Sequence, residues 1–143
     1  MQVDIEIEPT VAQLLSSEWP SSIESVAVKA LHHQGVDAMG ALTILLTDDE
    51  TLHRLNVTHR QEDKPTDVLS FESGEIWPDG THYLGDIAIS LPTAARQAEQ
   101  HAKSLLEEVE LLTVHGILHL LGYDHAEPKE EAEMWRIQNE ILI

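Results

Sequence analysis

Three histidines at fixed spacing near the carboxyl end constrain this chain more than any other feature. His115 and His119 lie four residues apart in an apolar run with a helical pattern, so both imidazoles leave one face about a turn apart. Gly122 follows the end of that run, and a glycine just past a helix end readily adopts the left-handed conformation that turns the chain. This turn can bring His125 back toward the other two rings. The spacing therefore predicts a helix, a tight turn and three imidazoles gathered at one place.

Three neutral imidazoles with an open fourth position form a catalytic type of zinc site, whereas a structural site is usually closed by four ligands. The spacing H-x-x-x-H-x-x-G-x-x-H is also that of the metzincin proteases, which carry a general-base Glu directly after the first His. Here that position is Gly116, so the metal ligands are present and the protease base is missing. The alternative is two core histidines on a buried helix face, with His125 in an unrelated turn. Because the helix, the glycine and the third histidine occur together, we favour the metal site.

Length, cysteine content and hydrophobicity bound the class of protein. A chain of 143 residues is expected to form a single domain, residues 1–143, with a hydrophobic core. It has no cysteine, which excludes disulfides and thiolate ligands. No apolar run approaches the ~18 residues of a membrane span, and the amino terminus alternates apolar and acidic residues like a strand, not like a signal peptide. We therefore expect a soluble, cytoplasmic protein of bacterial type with no membrane partner.

The formal net charge of −18 is the feature hardest to reconcile with a nucleic-acid ligand, since an acidic chain repels nucleic acid at long range. Three of the eight basic residues, Arg54, Arg60 and Lys64, nevertheless lie close together in the sequence. Acidic residues concentrate elsewhere, in residues 107–110 and 127–133. An acidic body with one local basic patch is consistent with this distribution, and so are three scattered, solvated side chains.

Short apolar and β-branched runs predict strands in the first two thirds of the chain. The predicted strands are residues 3–7, 41–46, 68–71 and 83–90. The segment Trp77-Pro-Asp-Gly80 is typical of a turn before the last of them. The polar residues 57–67, which include Pro65, are predicted to form a loop.

Capping boxes, in which Ser or Thr stands three residues before Glu, mark helix starts. Three such pairs are Ser21 with Glu24, Thr47 with Glu50, and Ser104 with Glu107. The helices they open are expected to end near residue 35, near residue 56 and just before residue 122. Further helices are expected over residues 92–103 and from residue 128 onward. Strands early in the chain and helices late predict an α+β domain in which a small mixed β-sheet is packed with helices.

Three longer motifs occur in a characteristic order. They are Asn56-Val-Thr-His-Arg-Gln-Glu-Asp-Lys-Pro-Thr-Asp-Val-Leu-Ser-Phe71, Leu84-Gly-Asp-Ile-Ala-Ile-Ser90 and His115-Gly-Ile-Leu-His-Leu-Leu-Gly-Tyr-Asp-His125. Together they resemble the YbeY family of bacterial ribosomal RNA maturation factors, which are metal-dependent endoribonucleases. The resemblance covers about Leu42 to the carboxyl end, whereas the residues before it carry only a general pattern of strand and helix.

The resemblance implies a fold, a cofactor and site residues. His115, His119 and His125 would bind one Zn²⁺ per chain. Arg60, which precedes the Pro-Thr-Asp-Val-Leu-Ser-Phe strand, would act in catalysis or in RNA contact. His59 stands where relatives often have an aromatic residue, and it receives no role. The implied fold is a small α+β domain similar to the core of zinc metalloproteases.

These residue types suit phosphodiester cleavage. Zinc held by neutral ligands keeps its positive charge, lowers the pKa of bound water and polarises a phosphoryl oxygen. A guanidinium such as Arg60 can meet two non-bridging oxygens with paired hydrogen bonds. The alternative for Arg60 is a surface salt bridge, for example to Glu62 or Asp63. Three imidazoles would also suit nickel.

The group that moves the proton stays open at this stage. Gly116 cannot act as a base, so either zinc hydroxide attacks directly or a ribose 2′-hydroxyl is the nucleophile. Asp86 and Asp124 are the nearest candidate carboxylates by motif. Either could instead orient a neighbouring group, since a ligating imidazole commonly needs such a carboxylate partner.

Two functions of different class follow. The first is a single-strand endoribonuclease that matures ribosomal RNA, at the 3′ end of the small-subunit RNA, and acts in ribosome quality control. The second is a ribosome-assembly factor with a structural zinc, whose acidic surface docks on ribosomal proteins. A peptidase with a displaced base is weaker because Gly116 replaces the catalytic Glu. Solvent access at the fourth zinc position separates the two, since an enzyme needs it open.

Overall fold

The structure is a computed structural model and describes residues 1–123 and 127–143. Within these residues the strands are β1 (Gln2–Ile7), β2 (Gly40–Thr47), β3 (Val68–Ile76) and β4 (His82–Ser90). The helices are α1 (Trp19–His33), α2 (Asp49–Arg60), α3 (Leu91–Gln100), α4 (Leu105–Leu120) and α5 (Pro128–Leu142). A short 3-10 helix, Pro9–Leu14, lies between β1 and α1.

The strands form one mixed sheet in the order β1-β2-β4-β3. β1 pairs with β2, and β2 with β4, in parallel, whereas β3 and β4 form an antiparallel hairpin. The hairpin turns at the predicted place, where the backbone N–H of Trp77 donates to the carbonyl of Thr81 over 2.8 Å. The prediction of an α+β fold with a small mixed sheet packed with helices is confirmed.

The two faces of the sheet carry hydrophobic clusters of unequal size. Because side chains alternate along a strand, Leu42, Ile44 and Ile87 point to one face, where they join the main core with α1, α4 and α5. Leu69 and Ala88 point to the other face and pack against Leu52 of α2. The end of α2 therefore lies beside β3, and α4 lies across β3 and β4 from the opposite face.

Helix α4 passes through the middle of the main core and begins at the predicted capping box. Ser104 Oγ accepts the backbone N–H of Glu107 over 3.1 Å, and the Glu107 carboxylate accepts the backbone N–H of Ser104 over 3.0 Å. Its apolar residues pack against α1, α3, α5 and the sheet.

Among the helices in the described ranges none has both the length and the apolarity to cross a membrane.

The predicted start of α1 is wrong by three residues, since the helix is preceded by Glu18 at the cap position and not by Ser21. The helix begins at Trp19, with Pro20 in its first turn, and no side chain caps it. Ser21 and Glu24 lie inside the helix on its exposed side. Proline suits the first turn because its missing N–H would be unpaired there in any case. The buried Trp19 ring packs in the main core, which fixes the earlier start.

The predicted bounds of α2 are also corrected. Thr47 is the fully buried last residue of β2 and cannot cap a helix, so Asp48 takes that role and its carboxylate accepts the backbone N–H of Thr51 over 2.8 Å. The helix continues to Arg60, and only then does Gln61, at φ +57°, end it. The β-branched and polar residues after Asn56 are typical of a loop, but here they form the exposed side of the last helical turn.

We expect Asp48→Ala to lower the free energy of unfolding by about 1 kcal/mol at pH 7, because the variant loses the α2 cap. The hydrogen bond from the Thr51 backbone, with that from Thr10, lowers the pKa of Asp48. A carboxylate with a lowered folded-state pKa contributes stability above its unfolded pKa, roughly 3.9, and loses it as the pH falls through the folded value. The difference between wild type and variant in urea unfolding should therefore be full at pH 7 and shrink below about pH 4.

Glu50→Ala is the control, because Glu50 is exposed in the same first turn. The Glu50 variant should lower the free energy of unfolding less than the Asp48 variant does. It should also leave the dependence of that free energy on pH below about pH 4 nearly unchanged. An Asp48→Ala protein as stable as wild type at pH 7 would show that Asp48 does not cap the helix.

Candidate active site

His115 and His119 lie on one face of α4, as their spacing predicts. Their rings meet edge to face with centroids 4.6 Å apart, and the two Nε2 atoms are separated by 3.0 Å. Both side chains are half-buried and line the same cleft. The helix therefore presents two imidazole nitrogens to one small volume at the protein surface.

The second ring nitrogen of His115 contacts the last helix. His115 Nδ1 lies 2.8 Å from Oε1 of Gln138, a buried residue of α5. An amide oxygen only accepts hydrogen bonds, so the ring donates through Nδ1–H. In a neutral imidazole the proton at Nδ1 leaves a lone pair at Nε2, the atom that faces His119.

These two histidines fit a zinc ion. Two nitrogens about 2.0–2.1 Å from a tetrahedral zinc lie about 3.3 Å from each other, close to the 3.0 Å between the two Nε2 atoms. Among the described residues no group of three or more His, Asp or Glu side chains is placed to hold a metal ion. The predicted third ligand, His125, and the candidate Asp124 lie outside the described residues. The three-histidine set thus stays a prediction, and within the described residues His115 and His119 lie side by side.

The turn after α4 is the one that the glycine predicts. Gly122 has φ +100°, and its N–H donates to the carbonyl of His119 over 3.0 Å. The N–H of Tyr123 donates to the carbonyl of Leu118 over 3.0 Å. This pair of bonds is the Schellman motif, which requires a left-handed residue where Gly122 stands. The chain therefore reverses just past His119.

Gly116 faces the sheet and not the cleft. A Cβ at this position would lie 2.8 Å from Cγ2 of Ile87 and 3.3 Å from Oγ of Ser70, which is too close for a buried contact. The Ser70 hydroxyl donates to the Gly116 carbonyl over 2.9 Å, which ties α4 to β3 at the same point. A glutamate base cannot occupy this position, so the metzincin arrangement is excluded for a steric reason.

Arg60 reaches the cleft from the end of α2. Its Nη2 donates to the backbone carbonyl of Ser70 over 2.6 Å. Since the Ser70 hydroxyl in turn holds Gly116, one residue of β3 connects the guanidinium to the helix that carries His115 and His119. Arg60 and the helix that carries the histidine pair thus share one support, Ser70 of β3.

The salt bridge considered as the alternative for Arg60 is absent from the described contacts. Glu62 pairs with Lys64 over 3.5 Å, and Asp63 pairs with His53 over 2.6 Å. The basic residues around position 60 therefore do not form a purely positive patch, because Glu62 partly neutralises Lys64 and the Asp63 carboxylate lies beside His53. Arg54 and Arg60 are six residues apart, about 240° around the helix, so they point in different directions.

Buried Asn56 fixes the segment that follows Arg60. Its side-chain Nδ2 donates to the carbonyl of Lys64 over 2.9 Å, and its own carbonyl accepts the N–H groups of Gln61 and Glu62. These three bonds fold residues 61–64 back against the helix end. Arg60 is therefore held by a structured helix terminus rather than by a free loop.

The cleft has a volume of about 480 Å³ and lies between the end of α2, strand β3 and helix α4. Its lining is mainly polar, and its charged and titratable members are Arg60, Glu62, Asp67, Glu72, His115, His119 and Tyr123. A second hollow of about 330 Å³ shares Gly122 and Tyr123 with it. The positive charge of Arg60 stands among the carboxylates of Glu62, Asp67 and Glu72. To bind an anionic ligand, the cleft would therefore need additional positive charge, for example a cation at the two histidines.

Asp86, one of the two carboxylates considered as base or orienting group, lies on the wrong face of the sheet. Its neighbour Ile87 packs under Gly116, and alternation along β4 directs Asp86 to the opposite side. There Asp86 accepts the hydroxyl of Tyr83. Burial, together with this hydrogen bond, raises the pKa of Tyr83 to about 12. Among the described contacts Asp86 therefore supports the sheet, and it lines neither the cleft nor the rings of His115 and His119.

Three residues that the sequence reasoning missed belong to the site: Gln138, Ser70 and Asn56. Gln138 is a lone polar residue on the apolar stripe of α5, between Met134 and Ile141, and that irregularity is a visible signal. Ser70 and Asn56 stand inside recognised motifs, but their contacts join residues distant in sequence, and spacing does not reveal such contacts.

We expect Gly116→Ala to destabilise the protein by roughly 1–3 kcal/mol, as overpacking of a close contact does. The added methyl must displace either Ile87 or the Ser70–Gly116 hydrogen bond. Thermal unfolding measures the loss of stability. Gly74→Ala, where a Cβ meets nothing within 4 Å, is the matched control and should be nearly neutral. Equal stability of both variants would contradict the close contact.

The chain is similar in sequence and in fold to known proteins. The family model described as Endoribonuclease YbeY matches residues 4–143. The chain is 48% identical over 121 residues to Endoribonuclease YbeY of Aquifex aeolicus, covering 84% of this chain and 79% of the relative. It is 40% identical over 147 residues to that of Roseiflexus castenholzii, covering 99% and 90%. A solution structure of a Thermotoga maritima protein superposes with a TM-score of 0.64 at 25% identity, covering 98% and 86%. The chain therefore belongs to the YbeY family.

Proposed function

We propose that this chain is a zinc-dependent, single-strand-specific endoribonuclease that acts in ribosomal RNA maturation, at the 3′ end of the small-subunit RNA, and in ribosome quality control. The observation that carries the proposal is a polar cleft in which His115 and His119 present facing Nε2 atoms and Arg60 is anchored to the same support. The relatives from Aquifex aeolicus and Roseiflexus castenholzii are named endoribonucleases, which supports this activity for the chain. We place its action in the cytoplasm, on ribosomal RNA or on the ribosome.

His115, His119 and His125 would hold the zinc ion, in a core that we liken to that of zinc metalloproteases. The facing nitrogens of the first two, and the turn at Gly122 that precedes the third, support this set. When bound by neutral imidazoles, zinc supplies a Lewis acid that lowers the pKa of water and polarises a phosphoryl oxygen.

Arg60 would bind the scissile phosphate. A guanidinium carries five N–H donors, and the bond to the Ser70 carbonyl uses one of them while fixing the plane of the group. The remaining donors can meet two non-bridging oxygens, on which negative charge grows during cleavage. This role of Arg60 is the same whether water or the ribose 2′-hydroxyl attacks, because either attack increases the negative charge on the non-bridging phosphate oxygens.

Neither Gly116 nor Asp86 would take part in proton transfer. Gly116 is buried against the sheet, and Asp86 lies on the opposite face. The carboxylates that line the cleft itself are Glu62, Asp67 and Glu72. Asp67 already accepts the backbone N–H of Val68 and the side-chain amide of Gln97, which gives it a structural task.

The shape of the cleft favours a chain-like ligand. Its volume of about 480 Å³ lies within the range of ligand sites, about 300–1,000 Å³. Exposed Glu62, Glu72 and Gly122 are among its lining residues, so it opens to solvent, and the second hollow extends it past Tyr123. A flexible single strand can follow such an open, polar surface.

A role as an assembly factor with a structural zinc is the second candidate, and the net charge of −18 favours it. A strongly acidic surface suits docking on basic ribosomal proteins. The cleft at the histidines favours the enzyme, because a structural zinc is usually closed by four protein ligands.

The decisive experiment compares cleavage of a single-stranded RNA by the wild type and by His119→Ala, purified in parallel. The wild type should cleave and contain zinc, whereas the variant should lose both, because two histidines hold zinc poorly. His32→Ala, at an exposed position of α1, is the control and should keep both properties. Circular dichroism must show that the variant is folded, since a bound metal also contributes to stability.

Equal cleavage by both proteins would point to a contaminating nuclease and overturn the assignment of the site. If neither protein cleaves and zinc is present in the wild type, the result favours the assembly-factor function over the nuclease.

Arg60→Ala should retain its zinc and lose roughly 10²–10³-fold in the cleavage rate, the cost of removing one preorganised donor to a developing anion. Arg54→Ala removes the same charge from the same helix but at a residue outside the cleft lining, so it should cleave normally. Metal analysis and single-turnover kinetics provide the two readouts. Loss of zinc from Arg60→Ala, or equal rates for the two variants, would remove Arg60 from the catalytic machinery.

A further inference from the structure

We infer that Gln138 is a positioning residue of the zinc site, because its side-chain amide selects the tautomer of His115 that presents Nε2 to the metal. The inference rests on the proposed zinc site and deepens it. Gln138 lies on α5, outside the histidine motif and outside the other two motifs that carry the family resemblance.

The contact determines where the single proton of the neutral ring sits. His115 Nδ1 is 2.8 Å from Gln138 Oε1, and this oxygen has no proton to give, so Nδ1 carries the hydrogen. Nε2 then holds the lone pair, 3.0 Å from Nε2 of His119. With the other tautomer, the proton would occupy the position through which His115 must bind zinc.

The contact is built into the packing of α5. Gln138 is only 1% exposed and stands on the helix face that Met134 and Ile141 bury against the main core. A polar amide in such a place is costly unless it is hydrogen-bonded. Because the apolar neighbours also restrict the rotamers of Gln138, the acceptor oxygen is fixed relative to the ring before any metal arrives.

The acceptor is a neutral amide and not a carboxylate, which has a chemical consequence. A carboxylate in this position would raise the basicity of the imidazole and pass negative charge toward the metal. An amide orients the ring without that charge. Gln138 therefore sets the geometry of His115 while preserving the electrophilic character that phosphodiester cleavage requires.

Two substitutions separate orientation from packing. Gln138→Leu removes the acceptor and keeps a side chain of similar volume, whereas Gln138→Glu keeps an acceptor oxygen. Zinc affinity, measured by competition with a chromophoric chelator, should fall roughly 10–100-fold in the Leu variant, as for other partners of ligand histidines. The Glu variant should bind zinc at least as tightly as wild type but cleave RNA more slowly. Ile141→Val, on the same buried face, is the packing control and should leave zinc affinity unchanged.

A second readout needs no metal. In the full chain stripped of zinc and labelled with ¹⁵N-histidine, long-range ¹H–¹⁵N spectra report which ring nitrogen carries the proton. We expect His115 to be protonated at Nδ1 in the wild type and in Gln138→Glu. In Gln138→Leu the Nε2–H tautomer should gain population, a change that loss of stability alone does not produce.

Unchanged zinc affinity and an unchanged tautomer in a folded Gln138→Leu protein would overturn the inference while leaving the proposed zinc site standing. A wild type that binds no zinc would overturn the proposed function and this inference with it. If Gln138→Leu does not fold, the Glu variant still decides, since zinc affinity lower than wild type in a folded Glu variant would show that the acceptor is not what matters.

Discussion

The contact between helix α4 and the sheet at Gly116 is the constraint on which the rest of the site depends. Without a side chain at this position the helix lies directly on Ile87 and Ser70. His115, one residue earlier, and His119, three residues later, are thereby directed away from the sheet toward the cleft. The same contact brings the Ser70 carbonyl to Arg60. A small residue in α4 thus sets the distance between the histidine pair on that helix and Arg60 at the end of α2, with Ser70 of β3 between them.

Local sequence signals were sufficient for the parts of the site that lie within one element. The i, i+4 pair of histidines, the capping box at Ser104 and the left-handed Gly122 all depend on neighbours a few residues away. The spacing therefore predicted the helix, its two ends and the pairing of the imidazoles. The position of Arg60 was assigned to a loop, because polar residues exposed at the end of α2 resemble loop residues.

Contacts between distant elements could not be predicted in the same way. Gln138 meets His115 across 23 positions, and Ser70 meets Gly116 across 46. Asp86 illustrates the reverse error, since its motif placed it near the site in sequence while strand alternation turned it to the other face. A shift of one residue in strand register would move Asp86 to the other face of the sheet. The register depends on how β4 pairs with its neighbours, which spacing along the sequence does not show. The starts of α1 and α2 were misjudged for a related reason, because burial of Trp19 and Thr47 overrode their capping patterns.

The acidic composition and an RNA substrate are compatible once the positive charges are located. A chain with a net charge of −18 gains little from long-range steering, so its affinity for RNA must come from the site itself. Arg60 and a zinc ion held by neutral imidazoles would concentrate positive charge where the phosphate is cleaved. Three carboxylates, those of Glu62, Asp67 and Glu72, already line the cleft, so the charge of any further group beside the histidines matters. Gln138 would orient His115 as a neutral amide, in a position where zinc enzymes often place a carboxylate. For attack on an anionic phosphodiester a neutral partner is favourable, because a further carboxylate next to a metal ligand would weaken the attraction of the metal for the substrate.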